Sequence, residues 1–249
     1  MVQKKKNAEL SVPAAAIEPK RRGRPRAYEP EIALGRALDL FRKDGFAATS
    51  LDDLSAATGM NRPSLYGAFG DKRDLYIKSY GRYRADARAA MVDIFRGELP
   101  IRKRLARIYD VALDIYVNGE AGPRGCFTVM TAASEAIFDP EIRAMVLEGF
   151  FELDKAFAGC FRRAKENGEL PDGADPAVLA QLASATLHTL AIRARAGVPR
   201  KELEAIVKGA IEVMVGKAKY SRSLPLRHSG VVPHPVIPRE RSHRRRRTE

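Results

Sequence analysis

Residues 51–69 read LDDLSAATGMNRPSLYGAF. Ser50, with Asp53 three positions on, has capping-box spacing and starts a short helix over about 51–57. Gly59 stops it, and Asn61 opens a second short helix that ends near Phe69–Gly70. With Leu51 as position one of a helix-turn-helix, Ser55 falls at five, Gly59 at nine and Leu65 at fifteen. A small residue suits the crossing, glycine suits a turn that needs positive φ, and Leu54, Met60, Leu65 and Ala68 face inward to seal the pair. Periodicity alone leaves an ordinary helical hairpin equally open.

The outward-facing residues shift the balance. Arg62, Pro63, Ser64 and Tyr66 stand at the start of the second helix, where a recognition helix meets base edges. Arg62 has the donors for guanine, Ser64 pairs with several bases, and Tyr66 either reaches a phosphate or packs. Thr49 and Ser50 lie at a helix N-terminus, which suits a phosphate oxygen as well as simple capping. Lys72 adds a positive charge at the start of the next helix.

Upstream, Ile32, Leu34, Ala37, Leu38 and Phe41 form a helical stripe over about 30–43, closed by Gly45. Downstream, Asp71 and Asp74 repeat the capping spacing and begin a long helix toward Phe95. Pro100, Gly119–Pro123, Asp139-Pro140, Asp175-Pro176 and Pro199 mark further junctions. Helices follow near 101–117, 125–137, 140–167, 176–195 and 200–217. No period-2 strand or internal repeat is evident, so the expected fold is all-α with about nine helices.

The chain has 249 residues, 44 Lys+Arg, 31 Asp+Glu and two cysteines, a net charge of +13. Residues 1–28 hold eight basic and two acidic residues, and 217–249 hold ten and two, which leaves a near-neutral body between basic ends. The expected division is a disordered arm (1–28), a DNA-binding helix-turn-helix domain (29–75), a helical regulatory and dimerisation domain (76–219) and a disordered tail (220–249). Basic arms bind polyanions through counterion release, and simple solubilising tails have the same composition. Arg24 and Arg26, within Arg21-Arg22-Gly23-Arg24-Pro25-Arg26, resemble an AT-hook that enters the minor groove; a generic basic linker is the alternative. No signal peptide, membrane helix, metal site or cofactor is expected, and the compartment is expected to be cytoplasmic.

Residues 24–80 resemble the DNA-binding domain of the TetR family of bacterial transcriptional regulators. The marks are Gly23-Arg24-Pro25-Arg26, the Phe41…Gly45-Phe46…Thr49-Ser50 join and the Leu65-Tyr66…Phe69…Lys72 ending. The resemblance implies a three-helix reader linked by a fourth helix to a ligand-binding and dimerisation domain. It implies a homodimer on a palindromic double-stranded operator, repressing until a small-molecule inducer enters the second domain. It also places Thr49, Ser50, Arg62, Pro63, Ser64, Leu65, Tyr66 and Lys72 toward DNA, although Leu65 reads equally as core.

Beyond residue 100, aromatic and methionine residues recur at helical spacing. Tyr109, Tyr116, Phe127, Met130 and Phe150, with Cys126, are candidates to line an apolar ligand pocket; plain core is the competing reading. Gly122-Pro123-Arg124-Gly125-Cys126-Phe127 is similar to a helix-opening Arg-Gly-Cys segment of the same family, its thiol either reactive or merely packed. Leu179, Leu182, Ala183, Leu187 and Leu190, with Leu203, Ile206, Val207, Ala210, Val213 and Met214, suit a dimer seam of the last two helices. His188 falls in that stripe as a packed residue. An enzyme using Cys126 with His188 lacks any orienting group in the sequence, whereas a non-specific nucleoid-type DNA coater acting through the arms remains the alternative function.

Overall fold

The computed structural model describes residues 29–118, 122 and 124–216. Arg24, Arg26 and the basic tail lie outside these. The described residues form nine α-helices and one 3₁₀ turn, with no strand among them. The helices are α1 (Pro30–Ala48), α2 (Leu51–Thr58), α3 (Arg62–Phe69), α4 (Lys72–Arg96), α5 (Ile101–Val117), α6 (Phe127–Ala133), α7 (Pro140–Glu166), α8 (Pro176–Arg195) and α9 (Arg200–Val215).

Local chemistry sets most of these ends. Ser50 with Asp53, and Asp71 with Asp74, form complete capping boxes at α2 and α4. Asp139 and Asp175 accept backbone N–H bonds at the starts of α7 and α8, each just before the proline. Gly59 ends α2 at φ +70, a left-handed conformation that a side chain strains, and so sets the turn into α3.

α1 breaks at Gly45, as expected, where the backbone is non-helical at φ +81 and ψ +174; one further turn carries the span on to Ala48, and the Thr49 hydroxyl donates to the Gly45 carbonyl at 2.6 Å. One helix departs from the expected pattern. The segment expected as one helix over 125–137 is α6 followed by a 3₁₀ turn, Glu135–Ile137. Ser134, between them, keeps a right-handed backbone at φ −117 and ψ −77 but departs from ideal helix values.

Two clusters of buried side chains hold the body together. The first joins Ala33, Ala37 and Phe41 of α1 to Leu54, Leu65, Phe69, the tyrosines of α4, Phe127 and the first turns of α7. Ile32, expected on the inner stripe, is exposed, because the buried face of α1 runs through Ala33 instead. This core continues past residue 75, reaching Val146. The second packs α5 against α7, α8 and α9.

The faces of α8 and α9 require a correction. Ala183, Leu187, Leu190, Leu203, Val207 and Met214 are buried within the chain's own second core and are not a free seam. The outward stripe of α8 is Val178, Leu182, Ala185, Thr189 and Ile192, spaced four and three residues apart. On α9 it is Gly209 and Val213; Ile206 and Ala210 beside them are half-buried and pack against the second core.

α4 and α7 run parallel, side by side. Arg73 clasps Asp139 (Nε to Oδ2 2.5 Å, Nη2 to Oδ1 3.0 Å) and Glu141 (2.7 Å) near their N-terminal ends. Arg84 and Arg88 bridge to Glu148 and Glu152 in the middle. Near the far ends Phe95 meets Phe157 edge-on, with ring centroids 5.1 Å apart. The Arg73 bonds hold the Asp139 carboxyl down from 3.8 to about 2. A carboxylate depressed in the folded state stabilises above its unfolded pKa, and that contribution is lost as pH falls through the folded value. Asp139→Asn, which can still cap α7, is therefore expected to lower the urea midpoint at neutral pH. The gap to wild type should close between about pH 4 and pH 2. A gap that persists at the acid end would locate the clasp's contribution elsewhere.

Candidate nucleic-acid interface

α3 is held by its own cap and by burial of its inner face. The Asn61 side chain accepts the Ser64 N–H at 2.9 Å, while Leu65 and Phe69 anchor the helix in the first core. Arg62, Pro63 and Tyr66 are exposed on the outer face, and Ser64 is half-buried. The Arg62 guanidinium donates through Nε and Nη2 to Asp52 Oδ1 of α2, at 3.1 and 2.7 Å. That pairing raises the Arg62 pKa further and holds the side chain extended across the reader. Exposed pairs of this kind are screened by solvent and contribute little, so a better acceptor can replace Asp52.

Two residues expected to face DNA do not. The Leu65 side chain is buried and faces the core, as its helix-turn-helix position allowed. The Thr49 side chain is buried too, its hydroxyl committed to the Gly45 carbonyl. Ser50 is exposed, but the Asp53 carboxylate already takes its N–H (2.9 Å) and its hydroxyl (2.6 Å). These bonds lower the Asp53 pKa, so an anion already serves this helix start. Lys72 lies in the first turn of α4, Nζ 4.3 Å above the Phe46 ring, which positions its charge beside the join.

A cavity of about 600 Å³ lies between α4 and α7, with α5, α8 and the start of α6 behind it. Tyr116, Cys126 and Phe150 line it, as expected of pocket residues. Tyr109, Phe127 and Met130 are not among its lining residues. Tyr109 is fully buried, and its hydroxyl donates to the Ala183 carbonyl at 3.2 Å. Phe127 is fully buried against three tyrosines of α4. Met130, one turn further along α6, is half-buried outside the lining.

His188, expected as a packed residue of the dimer stripe, lines the cavity instead, its ring 4.9 Å from that of Phe150. Burial lowers its pKa, against the opposing field of Asp154, so it is neutral at pH 7. Met91, Phe95 and Leu153 also line the cavity and were not singled out in the sequence. Gly149, Ala156 and Gly159 place small residues along one side of α7, and that spacing was the available signal for a slot.

Residues 124–126 tie this cavity to α1. Tyr83 donates its hydroxyl to Cys126 Sγ at 3.3 Å. Arg42 of α1 donates to the carbonyls of Ile115 (3.0 Å) and Gly125 (3.2 Å), with its guanidinium 5.1 Å from the Tyr83 ring centre. Burial lowers the Arg42 pKa, with the field of Tyr83 opposing. Arg124 pairs with Asp39, and Arg195 at the end of α8 donates to the carbonyls of Arg42, Lys43 and Arg124. Gly125, at φ +63, permits this convergence, since a Cβ there would lie 2.8 Å from the Ala191 carbonyl oxygen. Nothing local in the sequence marks these partners, which come from four helices and the loop before α6.

A family model described as "Bacterial regulatory proteins, tetR family" matches residues 33–78, and "Tetracyclin repressor-like, C-terminal domain" matches 102–210. A solved structure of the TetR family transcriptional regulator CifR, a cysteine mutant complexed with 26-bp double-strand operator DNA, is 30% identical. It superposes with a TM-score of 0.67 over 76% of this chain and 98% of that one. The chain belongs to the TetR family. Among curated TetR-type relatives, the repressor ComR of Escherichia coli K12 is 28% identical over 74% of this chain and 88% of its own. BdcR of the same organism, also a repressor, is 32% identical over 51% and 62%. Among the described residues, no helix is long and apolar enough to cross a membrane, and no acidic, His or Cys cluster could hold a metal ion.

Proposed function

We propose that this transcriptional regulator is a repressor that binds a palindromic operator as a homodimer and releases it when a small molecule occupies the α4–α7 cavity. Residues 29–75 carry the reader and 76–219 the regulatory and dimerisation part. Base reading falls to Arg62, Pro63 and Ser64, with Ser50, Tyr66 and Lys72 beside the phosphates and Arg24 and Arg26 in the arm. The observation that carries this reading is the double use of α4. Its first turns seal the reader, through Leu75 and Tyr76, and its later turns form one wall of the cavity. An occupant that spreads α4 from α7 displaces the base of the reader, and the Arg42–Gly125–Arg195 junction passes the strain to α1. The repressors among the relatives and the operator complex of CifR agree with this assignment.

The test is a footprint on the DNA upstream of the protein's own reading frame, against random competitor at about 150 mM salt. Two protected half-sites about one or two helical turns apart are expected. Arg62→Ala combined with Tyr66→Phe should lower specific affinity about 10- to 100-fold, the range for one bidentate base contact, and lower non-specific binding much less, by the share of one lost cation. Indifference to sequence and to these substitutions would overturn the operator reading and favour a non-specific coater.

A further inference from the structure

The charges around the cavity are distributed unevenly along its length. Its interior is mostly apolar, formed by Met91, Phe95, Ile115, Phe150, Leu153 and Leu187, with Thr128 and His188 adding polar groups. Small residues of α7, Gly149, Ala156 and Gly159, leave room where a larger side chain would close the slot against α4. Toward the N-terminal end, Arg84 and Arg88 are neutralised by Glu148 and Glu152. Glu152 is the one carboxylate among the lining residues, and both of its oxygens are engaged.

The other end differs. Arg96 stands in the last turn of α4, and Arg163 approaches from α7, donating to the Phe95 carbonyl at 2.6 Å. Lys155 projects from the middle of α7 on the same lining. Among the described residues no carboxylate lies within 4.0 Å of Arg96, Lys155 or Arg163, although every other lining cation has an acidic partner. Three exposed, uncompensated cations therefore border the mouth of an apolar slot.

We infer that the cavity takes an amphiphile with an apolar body and an anionic head, the body between α4 and α7 and the head at Arg96, Lys155 and Arg163. The volume lies within the range of about 300–1,000 Å³ that drug-sized ligands occupy. A carboxylate there gains charge-assisted hydrogen bonds from Arg96 and Lys155, and from the donors Arg163 does not spend on the Phe95 carbonyl. A cationic head meets three like charges, with the one lining carboxylate, Glu152, already engaged, and a neutral head forfeits the ionic contribution. This inference deepens the proposed ligand release and rests on the cavity being the regulatory site.

The test is calorimetric titration of the full chain with decanoate, decan-1-ol and decyltrimethylammonium, each below its micellar concentration. Decanoate should bind about tenfold more tightly than decanol, the low end for hydrogen bonds to a charged group, and the cation should bind most weakly. Arg96→Gln with Lys155→Gln should bring decanoate to the affinity of decanol and leave decanol unchanged. Ala156→Phe should abolish binding of both by filling the slot. An alcohol that binds as tightly as the acid, or decanoate binding unaffected by the glutamine pair or by Ala156→Phe, would overturn the inference. Decanoate that binds as expected but leaves the footprint intact would reject the release mechanism and keep the ligand class.

Discussion

Leu182→Glu together with Val213→Glu is expected to leave a folded monomer that binds operator about 100- to 10,000-fold more weakly than wild type, the span that linking two binding modules supplies. Both side chains are exposed in the isolated chain, Leu182 at 46% and Val213 at 79%. Charging them removes nothing from the chain's own core. They sit within the outward stripes of α8 and α9, where alanine, glycine and threonine between the larger residues let a second pair of helices approach closely. A carboxylate buried in such a seam without a partner is costly, and twofold symmetry presents each substitution twice. The readouts are sedimentation, where the mass should fall to the 27.5 kDa of one chain, and the footprint, which should lose both half-sites together. Circular dichroism should be unchanged. Leu187→Glu is the contrasting variant: that residue is buried in the chain's own core, so its replacement should unfold the protein. A dimer that survives the Leu182 and Val213 substitutions would place the interface on another face.

The contrast between Leu182 and Leu187 shows what the sequence carried and what it did not. α8 is apolar on nearly every side, so periodicity identifies a helix without saying which face meets its own chain and which meets a partner. Capping is different, because its chemistry spans three residues. Ser50 with Asp53, Asp71 with Asp74, and the Asp-Pro pairs at 139–140 and 175–176 marked helix starts that the structure reproduces. Gly45 likewise reads as a stop, and the helix breaks there at φ +81; what the sequence does not mark is the further turn to Ala48, after which the Thr49 hydroxyl takes up the Gly45 carbonyl.

The candidate site follows the same rule. The exposed face of α3 was legible, since a two-helix motif fixes which of its residues point outward. The cavity was not, because an empty volume has no residue pattern of its own. Tyr116, Cys126 and Phe150 reach it, yet Tyr109 and Phe127 have the same composition and spacing and belong to the core. His188 reached the cavity from a helix read only as a seam. Arg42 presents the harder case: its carbonyl partners lie 73 and 83 residues away, and only tertiary packing brings them together.

Phe127→Ala is expected to destabilise the protein by about 3–5 kcal/mol, the cost of deleting a fully buried aromatic ring. The ring is met edge-on by Tyr76, Tyr80 and Tyr83, at centroid distances of 5.3, 5.7 and 5.8 Å. Tyr76 in turn packs on Phe41 and Phe46, so one aromatic series runs from the reader to α6. Such edge-to-face pairs add to the area term, and tyrosines fixed at one face of α4 cannot collapse fully into the space left behind. At fixed protein concentration the thermal midpoint should fall by about 6–20 °C for a chain of this size. Met130→Ala, on the same helix but half-buried, is the control and should shift it far less. The two outcomes separate core from pocket. If Phe127 contacted ligand instead of supporting the fold, the alanine variant would melt near wild type and fail only in ligand-induced release. A large fall in midpoint, with residual operator binding well below the transition, would assign the ring to the joint between reader and regulatory part.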